Sequence, residues 1–415
     1  MLNILVSAFD CAPGVGSEGG GAWRWVVELA KRHRVTVLTD TLREEMLQPY
    51  LGKREIADVP FVFYRPRFLH AVPLTATSSY FVYGAWQIGA VQVARRLHAE
   101  RPFDLILHLS YGVFRQTSWL GFVGPPFVFG PVGGGEDAPW RLKRSLPPVE
   151  KARELTRSAL NLLGRNNPLL HFATSKAALV LARTPETRAC LPRQIQARTI
   201  IRQEIGCPSL PVRHAGTRLD GGPLKLLFAG RLVGWKGIHF AIRAVRHAVD
   251  NGADVRLDIV GWGPFGKTLE MLVKSLGLED RVGFAESMPQ DALFKYMSQH
   301  DALLFPSLHD SGGNVVLESL AIGLPVICLD LGGPPCFVDE HCGIVVSTVD
   351  ADEAELAVRL GAAVNRLATE PGLWQSLHAG ARRKAEALRW DAHIRNVFDD
   401  ICRHLDMPQL ALQGE

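Results

Sequence analysis

In FPSLHDSGGNVVLESLAIGLPV, residues 305–326, the acids Asp310 and Glu318 stand eight positions apart, with Gly312, Gly313 and Asn314 between them. The preceding DALLF reads as a buried strand and VVLESLAI as a short helix, which Gly323-Leu-Pro325 stops. Ser311 to Asn314 therefore form a strand-to-helix turn, whose unpaired N–H groups and positive dipole end suit an anion. Glycines there let a phosphate come close to the backbone. Two carboxylates around such a turn suit a ligand with hydroxyl-bearing ends and a phosphate middle. The same spacing also reads as an N-cap acid followed by a solvated helical glutamate.

A second group is FAGRLVGWKGIHF, where Arg231 and Lys236 occupy the loop between a strand and its helix. A guanidinium fork and a compact ammonium can hold a diphosphate and neutralise the charge that grows as it departs. A third is LDIVGWGPF, a strand ending in a Gly261-x-Gly263-Pro turn, another loop built for close approach.

The elements that must position these residues are βα units. Short apolar runs alternate with helical patterns: 3–9, 34–39, 61–65, 104–110 and 126–130, with weaker runs in AALVLAR and ARTIIRQ. CPSLPVRHAGTRLDGG, 207–222, has prolines, glycines and no periodicity, and reads as a linker. A second series follows at 224–230, 254–261, 281–285, 301–307, 325–330 and 343–346, with Ile238, Ile242, Val245 and Val249 on one helical stripe. Two doubly wound α/β domains are predicted, with the strand C-termini facing a shared cleft.

Composition excludes several classes. With 47% hydrophobic and 21% charged residues, the chain suits a soluble globular protein of two or three domains, and no apolar stretch reaches the roughly 18 residues of a spanning helix. The apolar run in MLNILVSAFD is too short for a signal peptide. Seven scattered cysteines without a CxxC pair argue against a disulfide framework or zinc site and for a reducing compartment. Residues 1–206 hold 26 Lys and Arg against 16 Asp and Glu, whereas 207–415 hold 20 against 26. The first half thus faces something anionic, but without a nucleic-acid motif.

The blocks FAGRLVGWKG, LDIVGWGPF, LGLEDRVGFAESMPQDALFKYMSQHDALLFPSLHD and SGGNVVLESLAIGLPVI, in this order and spacing, resemble the C-terminal domain of retaining family 4 glycosyltransferases. That resemblance implies the two-domain GT-B fold: an acceptor domain over 1–206, a donor domain over 207–387, and a helix at about 388–405 packing back on the first. It implies that Arg231 and Lys236 hold the diphosphate of a nucleotide sugar and that Glu318 accepts the ribose hydroxyls. Asp310 would contact the donor sugar with Gly312, Gly313 and Asn314, while Gly261 and Gly263 line the donor site. CAPGVGSEGGGAW would be a glycine loop closing on the phosphates through Gly19 and Gly20. His108 would be a catalytic cleft histidine, and Gly133, Gly134, Gly135 and Glu136 would line the acceptor site. The family usually carries Glu at position 310 and an aromatic-glycine pair at 312–313, so donor identity is left open.

The activity implied is retaining hexosyl transfer to a hydroxyl of a glycan or polyprenyl-linked acceptor, with no cofactor and no metal. No nucleic acid is involved, and the implied setting is cytoplasmic polysaccharide or cell-surface glycan assembly. Two rival readings are a non-catalytic sugar-nucleotide or glycan-binding protein and an NAD enzyme. GVGSEG, 14–19, is literally GxGxxG, and Asp40 ends the next strand. Against this, Asp10 to Pro13 separate the glycines from the strand, and Glu18 would oppose a pyrophosphate with no neighbouring cation in sequence. Finally, RLKRSLPPVEKARELTRSALNLLGR, 141–165, predicts a basic amphipathic helix with Leu155, Ala159, Leu162 and Leu163 on one stripe. It suits peripheral docking to the anionic inner face of the cell membrane or ordinary packing.

Overall fold

The computed structural model describes residues 1–53, 55–73, 75, 78–210 and 222–407. Most of the linker read at 207–222 lies outside the described residues.

The chain forms two compact units. The first comprises Met1–Gly135, Ala159–Ile205 and the described chain from Trp390; the second comprises Glu136–Ser158 and the described residues of Gly206–Arg389. The sequence reading places no crossing at Gly135 or Ser158. The segment Glu136–Ser158 joins the second unit because its charged side chains find their partners there, as shown below.

In the first unit β1 (Asn3–Ala8), β2 (Arg34–Thr39), β3 (Phe61–Phe63), β4 (Leu105–Ser110), β5 (Phe127–Val132), β6 (Leu179–Ala182) and β7 (Thr199–Ile201) form one sheet. Their order is β3-β2-β1-β4-β5-β6-β7, and every pairing is parallel. All seven apolar runs of the first half are strands, the two weaker ones included. Alternate residues of β1 feed opposite cores. Ile4, Val6 and Ala8 meet Trp25 and Val26 of the helix Ser17–Ala30, together with Ile394, Val397 and Phe398 of the helix Trp390–His404. Leu5 faces Val82, Tyr83 and Trp86 of the helix Ser79–Glu100. The Trp390–His404 helix is further tied down where His393 Nε2 lies 2.8 Å from the carbonyl oxygen of Gln203.

In the second unit β8 (Leu224–Ala229), β9 (Val255–Val260), β10 (Val282–Ala285), β11 (Ala302–Phe305), β12 (Val326–Leu329) and β13 (Gly343–Val346) are ordered β10-β9-β8-β11-β12-β13. The sheet is parallel and doubly wound, and the strand order reverses between β8 and β11. The helix Ile238–Asp250 buries Ile238, Ile242 and Val245 against it, with Val249 only partly covered. The helix Glu353–Thr369 packs across this helix, and Gly361 permits the approach: a β-carbon there would sit 2.6 Å from His247 Nδ1. Among the described residues no helix is long and apolar enough to cross a membrane.

Candidate functional site

Ligands of doubly wound sheets bind beyond the strand C-termini where the strand order reverses. In the second unit that point lies between β8 and β11, and the loops leaving these two strands carry Arg231, Lys236 and Asp310 to Asn314. The loops are joined to each other. Leu308 N donates to the carbonyl of Trp235 at 2.8 Å. Gly237 takes φ 70° as the cap of the next helix, and any β-carbon on it would overlap the carbonyl oxygen of Pro306.

Within this frame Lys236 Nζ pairs with the Asp310 carboxylate and lies 4.9 Å from the centre of the Phe305 ring. Arg231 is exposed and has no ion-pair partner among the described residues. Gly313, at φ 96°, begins the helix Asn314–Ile322 with no side-chain cap. Val316 N donates to the Gly313 carbonyl at 2.9 Å, and no side chain caps the N–H groups of Asn314 and Val315. Asn314 is exposed beside them, and Gly312 is partly so. One turn further, Glu318 Oε1 accepts a hydrogen bond from Gln290 Nε2 at 3.0 Å. Burial raises the Glu318 carboxyl above its ordinary pKa, while the Gln290 amide pulls it back. Arg231, Lys236, Asp310 and Asn314 thus share one edge of one sheet.

Gly261 and Gly263 have a different reason to be glycine. β-Carbons there would overlap the carbonyl oxygens of Gly230 and Leu232, and Leu232 N donates to Trp262 O at 2.9 Å. Their lack of side chains seats the Arg231 loop. Sequence reasoning missed Gln290 and the loop after β12, where Gly333 N donates to Asp310 O at 2.6 Å. Paired glycines in DLGGPP were the available signal for the latter.

The residues assigned to the first unit are corrected in several places. His108 lies inside β4, wholly buried, with Nε2 2.8 Å from Tyr83 Oη and Nδ1 3.3 Å from Ser7 Oγ. Its ring stacks on Phe129 at 5.7 Å, and burial pushes its pKa down to about 4. It is a neutral core histidine with both nitrogens occupied in this structure. Gly19 and Gly20 belong to the first turn of the Ser17–Ala30 helix. A β-carbon on Gly19 would lie 2.9 Å from Asp10 Oδ1, so this glycine makes room for that carboxylate. Glu18 does have a cation, Arg183 at 3.3 Å, and Arg183 also pairs with Glu204 at 2.7 Å. Asp40 is buried, accepts from Leu42 N at 2.9 Å and pairs with Arg65 at 3.4 Å.

Of the predicted acceptor residues, Gly133 and Gly135 are buried and Gly134 is partly exposed. Gly135 N donates to Thr187 Oγ1 at 3.1 Å, and a β-carbon there would lie 2.6 Å from Thr187 Cα. Glu136 is only 1% exposed and belongs to the second unit, where Ser311 Oγ donates to it at 2.5 Å. It is therefore closed to an acceptor. Among the described residues, no group of three or more His, Cys, Asp or Glu is arranged to hold a metal ion.

Comparison with known proteins adds four findings. The sequence profile of the family described as "Glycosyl transferases group 1" matches residues 212–362. A D-inositol 3-phosphate glycosyltransferase of Streptomyces griseus is 31% identical over 437 aligned positions, covering 96% of this chain and 87% of that protein. A protein of the same name from Streptomyces bingchenggensis is 35% identical over 176 residues, 40% of this chain, and the chain spans only 37% of that relative's length. Among solved structures, the lipopolysaccharide outer core galactosyltransferase WaaB in its apo form superposes with TM-score 0.65 at 14% identity, covering 97% of this chain and 99% of that one. This last likeness is one of fold, the GT-B arrangement of two Rossmann-like domains.

The Glu318 environment has a measurable consequence. Because its pKa is raised by folding, its protonated form favours the folded state, and that contribution is lost as pH rises past the ordinary glutamate range. Glu318→Gln mimics the protonated side chain, so urea denaturation should find it more stable than the parent at pH 7. The difference should close below about pH 4, where both side chains are neutral. A variant less stable at pH 7 would contradict the desolvation argument.

Proposed function

The chain belongs to the group 1 glycosyl transferases, and from that premise we propose that it moves a sugar from a nucleotide-diphosphate sugar to a hydroxyl of a glycan or polyprenyl-linked acceptor, retaining the anomeric configuration. The observation that carries this reading is the meeting of Lys236, Asp310 and the uncapped Asn314–Ile322 helix at the reversal point between β8 and β11. Arg231 and Lys236 hold the diphosphate, aided by the N–H groups around Asn314. Glu318, steadied by Gln290, accepts the ribose hydroxyls. Asp310 contacts the sugar while Lys236, already at its side, turns to phosphate. The acceptor hydroxyl attacks from the face that the diphosphate leaves, and the departing phosphate oxygen takes its proton. The protein's task is then to stabilise the charge on the leaving group, the dominant electrostatic term in such a step.

Arg231→Ala and Lys236→Ala should each lower kcat on the order of 10²-fold or more while leaving the thermal transition near the parent's. Because these side chains meet the diphosphate's charge, transfer should persist in EDTA. The readout is release of the nucleoside diphosphate across a panel of nucleotide sugars. Normal turnover in both variants defeats the diphosphate assignment. Donor binding without turnover by the parent would instead favour a sugar-nucleotide-binding protein.

We also propose peripheral docking on an anionic membrane, in a form changed from the purely electrostatic one. Three of the basic residues are used internally: Lys143 is wholly buried, Arg141 donates to the carbonyls of Ala351 and Thr348, and Arg157 donates to the carbonyl of Glu136. The helix Pro148–Arg165 turns Glu150 and Glu154 inward and exposes Val149, Leu155, Leu160, Leu162 and Leu163. Leu169 and Phe172 of the following helix are exposed as well, as are Arg153 and Arg165 of the Pro148–Arg165 helix. Each inserted leucine contributes up to about 2 kcal/mol, which salt does not screen. Sedimentation with vesicles rich in anionic lipid should therefore retain part of the binding at high salt. Leu162→Glu with Leu163→Glu should abolish it, and Arg153→Glu should weaken it chiefly at low salt. Absence of lipid-dependent sedimentation at any salt rejects this docking.

A further inference from the structure

Three glutamates of one short stretch reach the two loops of the donor site. Glu150 Oε2 accepts from Gly234 N at 3.2 Å, in the turn that carries Lys236. Glu154 Oε1 lies 2.8 Å from His309 Nε2, next in sequence to Asp310. Glu136 Oε2 accepts from the Ser311 hydroxyl at 2.5 Å, on the other side of Asp310. His309 also stacks on Trp235 of the Arg231–Lys236 loop, ring centres 5.5 Å apart and planes 15° apart. Each glutamate therefore touches a residue within two positions of a proposed donor-site side chain.

The stretch that bears them is itself firmly held. Lys143 pairs with Asp137 and, at 2.8 Å, with Glu154. Arg157 and Arg153 grip the carbonyl of Glu136 and the carboxylate of Glu150 at 3.0 and 2.6 Å. Burial alone would push the Glu154 carboxyl up, yet His309 and Lys143 bring it down to about 2, so it stays charged.

Buried ion networks are seldom the cheapest way to hold a fold, since apolar replacements of similar volume often do as well. What such a network does supply is direction, because hydrogen bonds fix orientation where apolar contacts allow sliding. Here the direction is spent on two loops and their backbone.

We propose that Glu136, Glu150 and Glu154 are positioning residues, which set the Arg231–Lys236 loop and the His309–Asn314 turn in the geometry that receives the diphosphate. The inference rests on the donor-site reading above. Segment 136–158, contributed by the chain between β5 and β6, is thereby part of the nucleotide site without touching the nucleotide.

The test is amide hydrogen exchange on the full chain without nucleotide, paired with calorimetric titration of UDP and GDP. Glu154→Gln and Glu136→Ala should quicken exchange over 234–237 and 309–313 about tenfold, leaving the Glu353–Thr369 helix at the parental rate. Affinity for whichever nucleotide the parent binds should fall about tenfold, as for other supporting-shell partners. Glu136→Gln, which keeps an acceptor for Ser311, should recover most of both losses. Unchanged exchange in the two loops, or a uniform rise across the second unit, overturns the proposal and leaves the glutamates as packing. If Glu154→Gln does not fold, the Glu136 pair decides. Should the parent bind neither, ADP, CDP and dTDP are titrated in turn; binding of none of the five defeats the donor-site reading, while the exchange rates still judge the positioning role.

Discussion

The second unit depends on the backbone of one loop resting directly on another. Gly237 lies against the carbonyl of Pro306, Gly261 against that of Gly230, and Gly263 against that of Leu232, at separations that leave no room for a β-carbon. These contacts lock the exits of β8, β9 and β11 into one surface, so Lys236 meets Asp310 without either side chain searching for the other. Gly332 and Gly333 extend the surface to the exit of β12, where they pack on the backbone of Asp310 and Ser311. The order of the site is set first by main chain and only then by charge.

On that surface the charges are arranged in tiers. Arg231 is exposed and unpaired among the described residues, Lys236 is shared with Asp310, and Glu154 is sealed beneath with Lys143 and His309. A site graded in this way presents an exposed cation to an incoming anion while its foundations stay paired. The cost is visible at Glu318, whose carboxyl is held in surroundings that disfavour its ionised form. Desolvation of this kind is common where binding groups must be poised before the ligand arrives.

Much of this was legible in sequence for a simple reason. Buried parallel strands read as continuous apolar runs bounded by Gly and Pro, and the loops that follow them must carry the chemistry. That rule directs attention to Arg231, Lys236, Asp310 and Asn314, which lie in the loops leaving β8 and β11. The errors share a different cause. His108 looked available until Tyr83 and Ser7 filled its two nitrogens, 25 and 101 positions away. Glu136 looked like a loop acid until Ser311 claimed it from 175 positions away. The charges of 141–165 looked solvated, since no local pattern announces that Lys143 will be buried against Asp137 and Glu154. Spacing reveals what an element presents, whereas satisfaction of a polar group depends on partners that only folding brings near.

The helix Pro148–Arg165 wears its amphipathicity inside out, acids toward the protein and leucines toward the surroundings. One outcome concerns handling rather than catalysis. In a concentrated aqueous sample these leucines have only each other to adhere to, so the protein should be purified with a mild detergent and its purity judged under those conditions. A second outcome is mutational: with one side committed to ion pairs and the opposite side to greasy contact, few positions along these five turns can drift without consequence.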